Sequence, residues 1–398
     1  MKVIVIGAGA SGLICAITLA RRGINVEIIE KNTNPCKKIL MTGAGKCNYF
    51  NSDMTINHYR CDNQEILKKI ITDDNCQKVL DFFNSIGVIP RIKNGYYYPY
   101  SNTATTIKNL LLIEANKLNI KIKNDTVVND IIRNNKYIIK TDKEDIICDK
   151  VVLSTGSCAS IKNEYNGYNL LKKLGHTIIK PLPALVMLVG NKNYFKDWAG
   201  IRCDAKIELY ENGKFVDYQE GEVQLTNYGI SGICIMNLSG RVARSLDNKN
   251  KINILLNFIP YIDKQEGFEY LNERNKQVKD RTIIELLESI INYKLLYVIL
   301  KNCRIDANMT WNNLNEQQKM TLIDNIFSFK LDIVDTKKME DAQVVTGGLT
   351  LSEINDNLES IKVPGLYITG ELLNVDGDCG GYNLGFAWIT GMIVGMNI

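Results

Sequence analysis

Two glycine-rich stretches, one at each end of the 398-residue chain, hold the positions best suited to chemistry. The first is Met1-Lys-Val-Ile-Val-Ile-Gly7-Ala-Gly9-Ala-Ser-Gly12, an apolar run feeding G-x-G-x-x-G. A second apolar run, Asn25-Val-Glu-Ile-Ile-Glu30, closes on an acid after it. Each part has a task in holding a dinucleotide. Gly7 permits the tight turn, Gly9 lets a pyrophosphate approach the backbone, and Gly12 lets the helix pack closely on the strand. The helix N-terminus then faces the phosphates, and Glu30 can accept hydrogen bonds from a ribose. A bare G-x-G-x-x-G also occurs in purely structural turns, but here strand, turn, helix and acid stand in register.

The second stretch is Gly370-Glu371-Leu-Leu-Asn-Val-Asp376-Gly-Asp-Cys379-Gly380-Gly381-Tyr382-Asn383-Leu384-Gly385. A strand ending in Gly-Glu and a Gly-Gly turn opening an apolar helix aim backbone N–H groups and a helix dipole at one bound group. In a flavoenzyme the pyrimidine end of the ring needs such a setting, because reduction can place negative charge there. The bland alternative is a tight turn before a packed helix.

The elements that must position these stretches follow from periodicity. A helix is expected over 11–22, closed by Gly23, and helical spacing recurs over 64–86 and 103–117. Gly95-Tyr-Tyr-Tyr-Pro-Tyr100 reads as an aromatic strand packed on the core, or as the lining of a site mouth. Short strands are expected between 120 and 153, the last ending in a second glycine loop, Ser154-Thr155-Gly156-Ser157. Strands dominate 183–260, with Asn212-Gly213 as a hairpin turn. Residues 263–328 switch to helical periodicity, which marks an inserted helical domain, before strands return. The apolar stretch beginning at Gly385 is too short for a membrane span and reads as a buried core helix.

Composition sets limits. Forty-eight basic against 44 acidic side chains leave +4, which does not announce nucleic acid. No secretory signal precedes the first strand, and eleven cysteines without a C-x-x-C pair suggest free thiols in a reducing cytoplasm, with no metal site. Cys47 and Cys379 lie in glycine loops where a thiol could be redox-active, although a small loop residue is the plainer reading. Of two histidines, His176 is expected to end a helix, and His58 carries no signal. Gly43-Ala-Gly45-Lys46 imitates a Walker A loop, but Leu40 and Cys47 stand where that motif needs glycine and a hydroxyl.

Four further motifs carry a resemblance. They are Lys37-Lys38-Ile-Leu-Met-Thr42-Gly43-Ala-Gly45-Lys46-Cys47-Asn48, Pro181-Leu-Pro-Ala-Leu-Val, the stretch 221–232 (GEVQLTNYGISG) and Thr346-Gly-Gly-Leu-Thr-Leu-Ser-Glu-Ile. With the two glycine stretches they resemble the BaiN/YhiN-type FAD-dependent oxidoreductases, a family that includes aminoacetone oxidases and a bile-acid-type enone reductase. The resemblance spans nearly the whole chain. It implies an α/β fold: a Rossmann-like, glutathione-reductase-like FAD-binding domain (1–185 and 340–398), an inserted β-rich, barrel-like substrate domain (186–262 and 329–339) and a small helical insert (263–328). The two changes of period fit that plan.

By the same resemblance Gly7, Gly9, Ala10, Ser11 and Gly12 hold the FAD diphosphate, and Glu30 and Lys31 flank the adenosine ribose. Lys38 and the loop Thr42, Gly43, Gly45, Lys46 and Asn48 lie along the flavin, and Val128 meets adenine through its backbone. Thr155, Gly156, Gly370, Glu371, Asp376, Gly381, Tyr382, Asn383 and Leu384 also approach the cofactor. Ala44 and Lys46 stand where glycine and arginine are usual in the family, and lysine lacks the planar fork of arginine.

The expectation is a cytoplasmic FAD-dependent oxidoreductase that moves a hydride between a small organic substrate and flavin N5. Oxidation of an amine or α-aminoketone by oxygen and reduction of an activated double bond both fit. NAD(P)H is at most a transient reductant, since no second nucleotide fingerprint occurs. No catalytic residue is assigned; Tyr382, Glu371 and Lys46 are titratable candidates only. The alternative is an FAD-dependent tRNA-modifying flavoprotein, suggested by a mildly basic pI near 8.3 and lysine-bearing helices in the insert. A non-catalytic nucleotide-binding module is a third class. No membrane or nucleic-acid partner is expected.

Overall fold

The computed structural model describes residues 1–160 and 166–398, which divide into two compact units: Met1–Leu182 with Val344–Ile398, and Pro183–Gln343. The first unit is built on a five-stranded sheet in the order Leu366–Ile368, Lys150–Leu153, Lys2–Ile6, Asn25–Ile29, Lys121–Lys123. Every neighbouring pair is parallel, with Val5 opposite Ile28 on one side and Val152 on the other. The unbroken apolar run Val3–Ile6 is what a strand buried on both faces requires. Because the strands are parallel, Gly7, Glu30, Ser154 and Thr369 all emerge at one edge of the sheet. That edge is where doubly wound folds bind ligands. Ser154 and Thr369 join their hydroxyls there at 2.7 Å.

Two helices complete this frame. Ala10–Arg21 follows the first strand, and the apolar Tyr382–Asn397 packs against it as a buried core helix. Among the described residues no helix is long and apolar enough to cross a membrane. The helical stretch expected over 64–86 is divided into Gln64–Ile70 and Asp73–Ser85. Thr72 is extended, and its side chain accepts the Asn75 N–H at 3.2 Å, so it caps a new helix instead of continuing the old one.

The aromatic strand proves to be half of a hairpin, Pro90–Lys93 with Tyr96–Pro99. Asn94 and Gly95 both have positive φ, 51° and 81°, as a two-residue turn of this kind demands. Tyr97 packs edge-on to Tyr49 and Phe50. Tyr96 and Tyr98, on the alternate face, reach toward Gly380 and Gly43.

The second unit is a closed six-stranded barrel of Leu188–Gly190, Gly229–Ser231, Lys214–Leu225, Arg202–Glu211, Ile252–Asn257 and Phe329–Thr336. Alternation along Arg202–Glu211 buries Ala205, Ile207 and Leu209, and Asn212-Gly213 turns the hairpin as expected. Between the last two strands come Lys264–Gln277, Ile283–Leu287, Tyr293–Cys303 and Glu316–Phe327. Capping boxes at Asp263–Glu266, Thr282–Glu285 and Asn315–Gln318 fix three of these helix starts. Leu271, Trp311 and Leu322 of the helical part share one apolar core with Leu256 and Phe329 of the barrel.

Candidate cofactor site

The N-terminal glycine turn shows three different reasons for glycine. Gly7 has φ +107°, and a Cβ there would lie 2.4 Å from the Ser154 carbonyl oxygen. A Cβ on Gly12 would lie 2.0 Å from the Gly7 oxygen, so strand and helix could not come together. Gly9 differs: its φ of −87° suits any residue, and a Cβ there meets nothing within 4 Å. Neither backbone strain nor packing asks for glycine at position 9, which leaves its fitness as an N-cap and close approach by a bound group. Gly9 also opens Ala10–Arg21 with no side-chain cap and no acid in the first turn, so the N–H groups and positive dipole end remain available to an anion.

Glu30 is buried, and its carboxylate already works within the protein. One oxygen accepts the Ala8 N–H at 2.8 Å; the other accepts the backbone and side-chain N–H groups of Asn32 at 2.8 and 2.6 Å. It fixes the glycine turn. Burial lowers the pKa of the Lys31 ammonium against the pull of Glu30. Val128 is buried at the start of its strand, and its carbonyl accepts Asn166 Nδ2 at 3.1 Å.

At the same sheet edge Lys38 Nζ donates to the Ser157 carbonyl at 3.0 Å, to Ser157 Oγ at 2.9 Å and to Glu371 Oε2 at 2.9 Å. Ser157 Oγ adds a bond to the same Glu371 oxygen at 3.1 Å. One cation therefore joins three segments: the helix after Cys36, the loop after Leu153 and the Gly370-Glu371 turn. Gly370 sits against the first helix, where a Cβ would approach Ser11 Oγ to 2.8 Å. Thr155 Oγ1 is buried without a hydrogen-bond partner among the described residues.

The loop 42–48 holds Gly43, Ala44, Gly45 and Cys47 at φ between 53° and 83°. Ala44 keeps a Cβ in a conformation that favours glycine, a local cost of about 1 kcal/mol. Cys47 is fully buried and its thiol is pushed up to about 11 by burial, which marks a packed loop residue and not a poised thiolate. Lys46 is exposed. Asn48 Oδ1 is buried without a partner among the described residues, 3.0 Å from where a Cβ on Gly381 would stand. Gly381, at φ +95°, starts the last helix with neither a side-chain cap nor an acid in its first turn. Asn383 uses its amide to hold that turn: Oδ1 accepts the Gly377 N–H at 2.8 Å, and Nδ2 donates to the Gly377 carbonyl at 2.9 Å.

Asp376 is enclosed. It is 2% exposed, and Arg60 Nε donates to it at 3.0 Å; burial raises its pKa while Arg60 pulls the other way. It braces the antiparallel pair Tyr59–Cys61 and Val375–Gly377 that leads into the turn. His58, silent in the sequence, stands beside it. Its Nδ1 lies 3.0 Å from Asp378 and its Nε2 3.0 Å from Asp53, and its ring stacks on Tyr382 at 4.3 Å. His176 does close the helix Asn166–Lys173, its backbone N–H donating to the Leu171 carbonyl at 3.0 Å, but its buried ring is held elsewhere, bonding Glu353 at 2.7 Å and Ser360 at 3.0 Å.

Residues 1–397 match the family described as "HI0933-like protein Rossmann domain". The chain belongs to this family. The resemblance to BaiN/YhiN-type FAD-dependent oxidoreductases is borne out, and with it the Rossmann-like fold class. The chain is 34% identical over 397 residues to a 3-dehydro-bile acid delta(4,6)-reductase of Clostridium scindens, covering 98% of this chain and 97% of that protein. It is 24% identical to a ribosomal RNA dihydrouridine synthase of Escherichia coli, covering 97% and 94%. A solved 3-ketosteroid-delta4-(5alpha)-dehydrogenase from Rhodococcus jostii aligns over 99% of this chain and 96% of its own with 14% identity and TM-score 0.48, too distant to bear on activity.

This family member presents the features an FAD site needs. Gly9 leaves room for a diphosphate, two helices begin uncapped at one edge of the sheet, and Asn48 Oδ1 and Thr155 Oγ1 are buried acceptors without partners among the described residues. Such orphaned polar atoms are costly unless a ligand completes them. Chain neighbours could reveal the glycine positions. The brace of His58, Arg60 and Asp378 had no signal, since its members lie about 320 residues apart.

Proposed function

We propose that the protein reduces a carbon–carbon double bond conjugated to a carbonyl in a small, mainly apolar substrate, with FAD in this site and NAD(P)H as a visiting reductant. The observation that carries the reading is the match to the bile-acid reductase over nearly the full length of both chains. The dihydrouridine synthases support the same direction. Dihydrouridine differs from uridine by two hydrogens across a ring double bond conjugated to a carbonyl. Reduction is therefore favoured over amine oxidation.

Bound flavin supplies hydride transfer. The chain supplies the setting: Gly9 and the first helix receive the diphosphate, and Lys38 holds Glu371 and Ser157 in place. The uncapped start of the last helix offers N–H groups to charge at the far end of the cofactor. Tyr96 and Tyr98 give that end an aromatic wall.

A second reading, reduction of a uridine in RNA, rests on the full-length likeness to the E. coli enzyme. Charge weighs against it. Residues 263–328, the proposed basic support, carry nine basic and ten acidic side chains, no footprint for a polyanion.

The test begins with the visible spectrum of purified protein, then anaerobic reduction by NADPH. Mixing the reduced protein with a conjugated steroid dienone should reoxidise the flavin and abolish the dienone's ultraviolet band. Dihydrouridine formed in an rRNA transcript, with the dienone untouched, would establish the second reading. Reoxidation by neither substrate, with turnover of aminoacetone in air, would refute both.

A further inference from the structure

The Gly380–Gly381 turn cannot hold itself. Both residues have positive φ, 128° and 95°, and neither has a side chain to anchor it. Its shape is imposed by neighbours. Asn51 Nδ2 donates to the Gly380 carbonyl at 2.8 Å, and Asn383 clamps Gly377 from the helix side. On the remaining side stands His58, whose carbonyl accepts the Asp378 N–H at 2.9 Å and so extends the pairing of Tyr59–Cys61 with Val375–Gly377.

The ring of His58 faces a carboxylate at each nitrogen, Asp378 inside and Asp53 outside, both at 3.0 Å. Two carboxylates can both be satisfied only if both nitrogens donate, so this arrangement holds an imidazolium. That cation lies flat on Tyr382, with 4.3 Å between centroids and 20° between planes. Tyr382 is the first residue of the last helix, and its carbonyl accepts Tyr59 Oη at 3.0 Å. Asp378 also accepts Arg60 Nη1 and Nη2 at 2.8 Å, and Arg60 continues to Asp376. Charges alternate along the row Asp53, His58, Asp378, Arg60, Asp376.

We propose that His58 is a positioning residue: its imidazolium, clamped between Asp53 and Asp378 and stacked on Tyr382, sets the Gly380–Gly381 turn that aims the last helix at the cofactor, so FAD affinity follows the protonation of His58. The inference rests on the reading of this site as an FAD site. Burial alone would pull the His58 pKa down, but Asp378 and Asp53 outweigh it and leave it above its ordinary value. Tyr59, Tyr382, Arg60 and Asp53, which surround the ring, keep their charge states as pH rises through neutrality. Burial pushes the hydroxyls of Tyr59 and Tyr382 up, Arg60 is held charged by its two carboxylates, and the His58 bond holds Asp53 below its usual range. Asp376 loses charge as pH falls, the opposite limb. The sign follows: the clamp is intact at low pH and is lost as pH rises through the raised His58 pKa.

The test is FAD titration of the apoprotein, followed by fluorescence quenching, between pH 6 and 9. Wild type should lose affinity several-fold to about tenfold across the upper part of that range. His58→Gln keeps an amide toward Asp378 but no titrating charge, and its affinity should be weak and flat with pH. Asp53→Asn removes the outer carboxylate without touching the turn and should move the wild-type midpoint to lower pH. Wild-type pH dependence retained in His58→Gln, or an unmoved midpoint in Asp53→Asn, would overturn the assignment. If His58→Gln fails to fold, the Asp53→Asn midpoint decides. Wild-type protein that binds no FAD at any pH would instead refute the function proposed above.

Discussion

Alanine at position 9 separates a binding role from a folding role in one methyl group. Gly9 has φ −87° and ψ −163°, which alanine adopts without strain, and its Cβ would meet no protein atom within 4 Å. On folding, the reduced freedom of the unfolded chain favours alanine by about 0.4–1 kcal/mol, while its poorer performance as an N-cap costs a similar amount. Stability should therefore stay within about 0.5 kcal/mol of wild type. On binding, the methyl stands where the diphosphate must approach the helix N-terminus. Losing one charge-assisted N–H bond costs about 1.5–3 kcal/mol, or about ten- to a hundredfold in FAD affinity. Gly12→Ala is the contrast, because its Cβ would lie 2.0 Å from the Gly7 oxygen and must part strand from helix. Thermal melts of the apoproteins with FAD titrations read both quantities. Gly9→Ala binding FAD within about threefold of wild type, a difference under about 1 kcal/mol, would refute the placement of the diphosphate.

Other outcomes follow from the same geometry. Hydrogen bonds from Lys362, Thr177 and His176 overcome the effect of burial and draw the Glu353 carboxyl down to about 2 from its ordinary 4.5. That depression contributes about 3 kcal/mol of stability, present above pH 4.5 and lost as pH falls toward 2. Urea melts at pH 7 and pH 3 should show Glu353→Gln losing most of its deficit at the acid end; an equal deficit at both would count against it. Lys38→Met removes the cation joining Ser157 to Glu371 and should weaken FAD binding severalfold while costing about 1 kcal/mol of stability, since the pair is partly exposed. Ala44→Val places a β-branched side chain at φ +53° and should lower stability by about 1–3 kcal/mol, read as a lower melting temperature.

The sequence by itself determined the features whose cause lies within a few residues. Gly7, Gly9 and Gly12 answer to one turn and one helix start, the apolar run Val3–Ile6 to a strand buried on both faces, and Asn212-Gly213 to a two-residue hairpin. Asn94-Gly95 has the same form, at the head of the aromatic strand Tyr96–Pro99. Tertiary structure decided everything that depends on which strand end meets which. It paired Asp376 with Arg60, spent the Asn383 amide on Gly377, and gave His58 its partners at Asp53 and Asp378. Local backbone demands act through contiguous residues and leave a pattern there. A charge row joining residues about 320 positions apart leaves none, because its register is set by the pairing of Tyr59–Cys61 with Val375–Gly377.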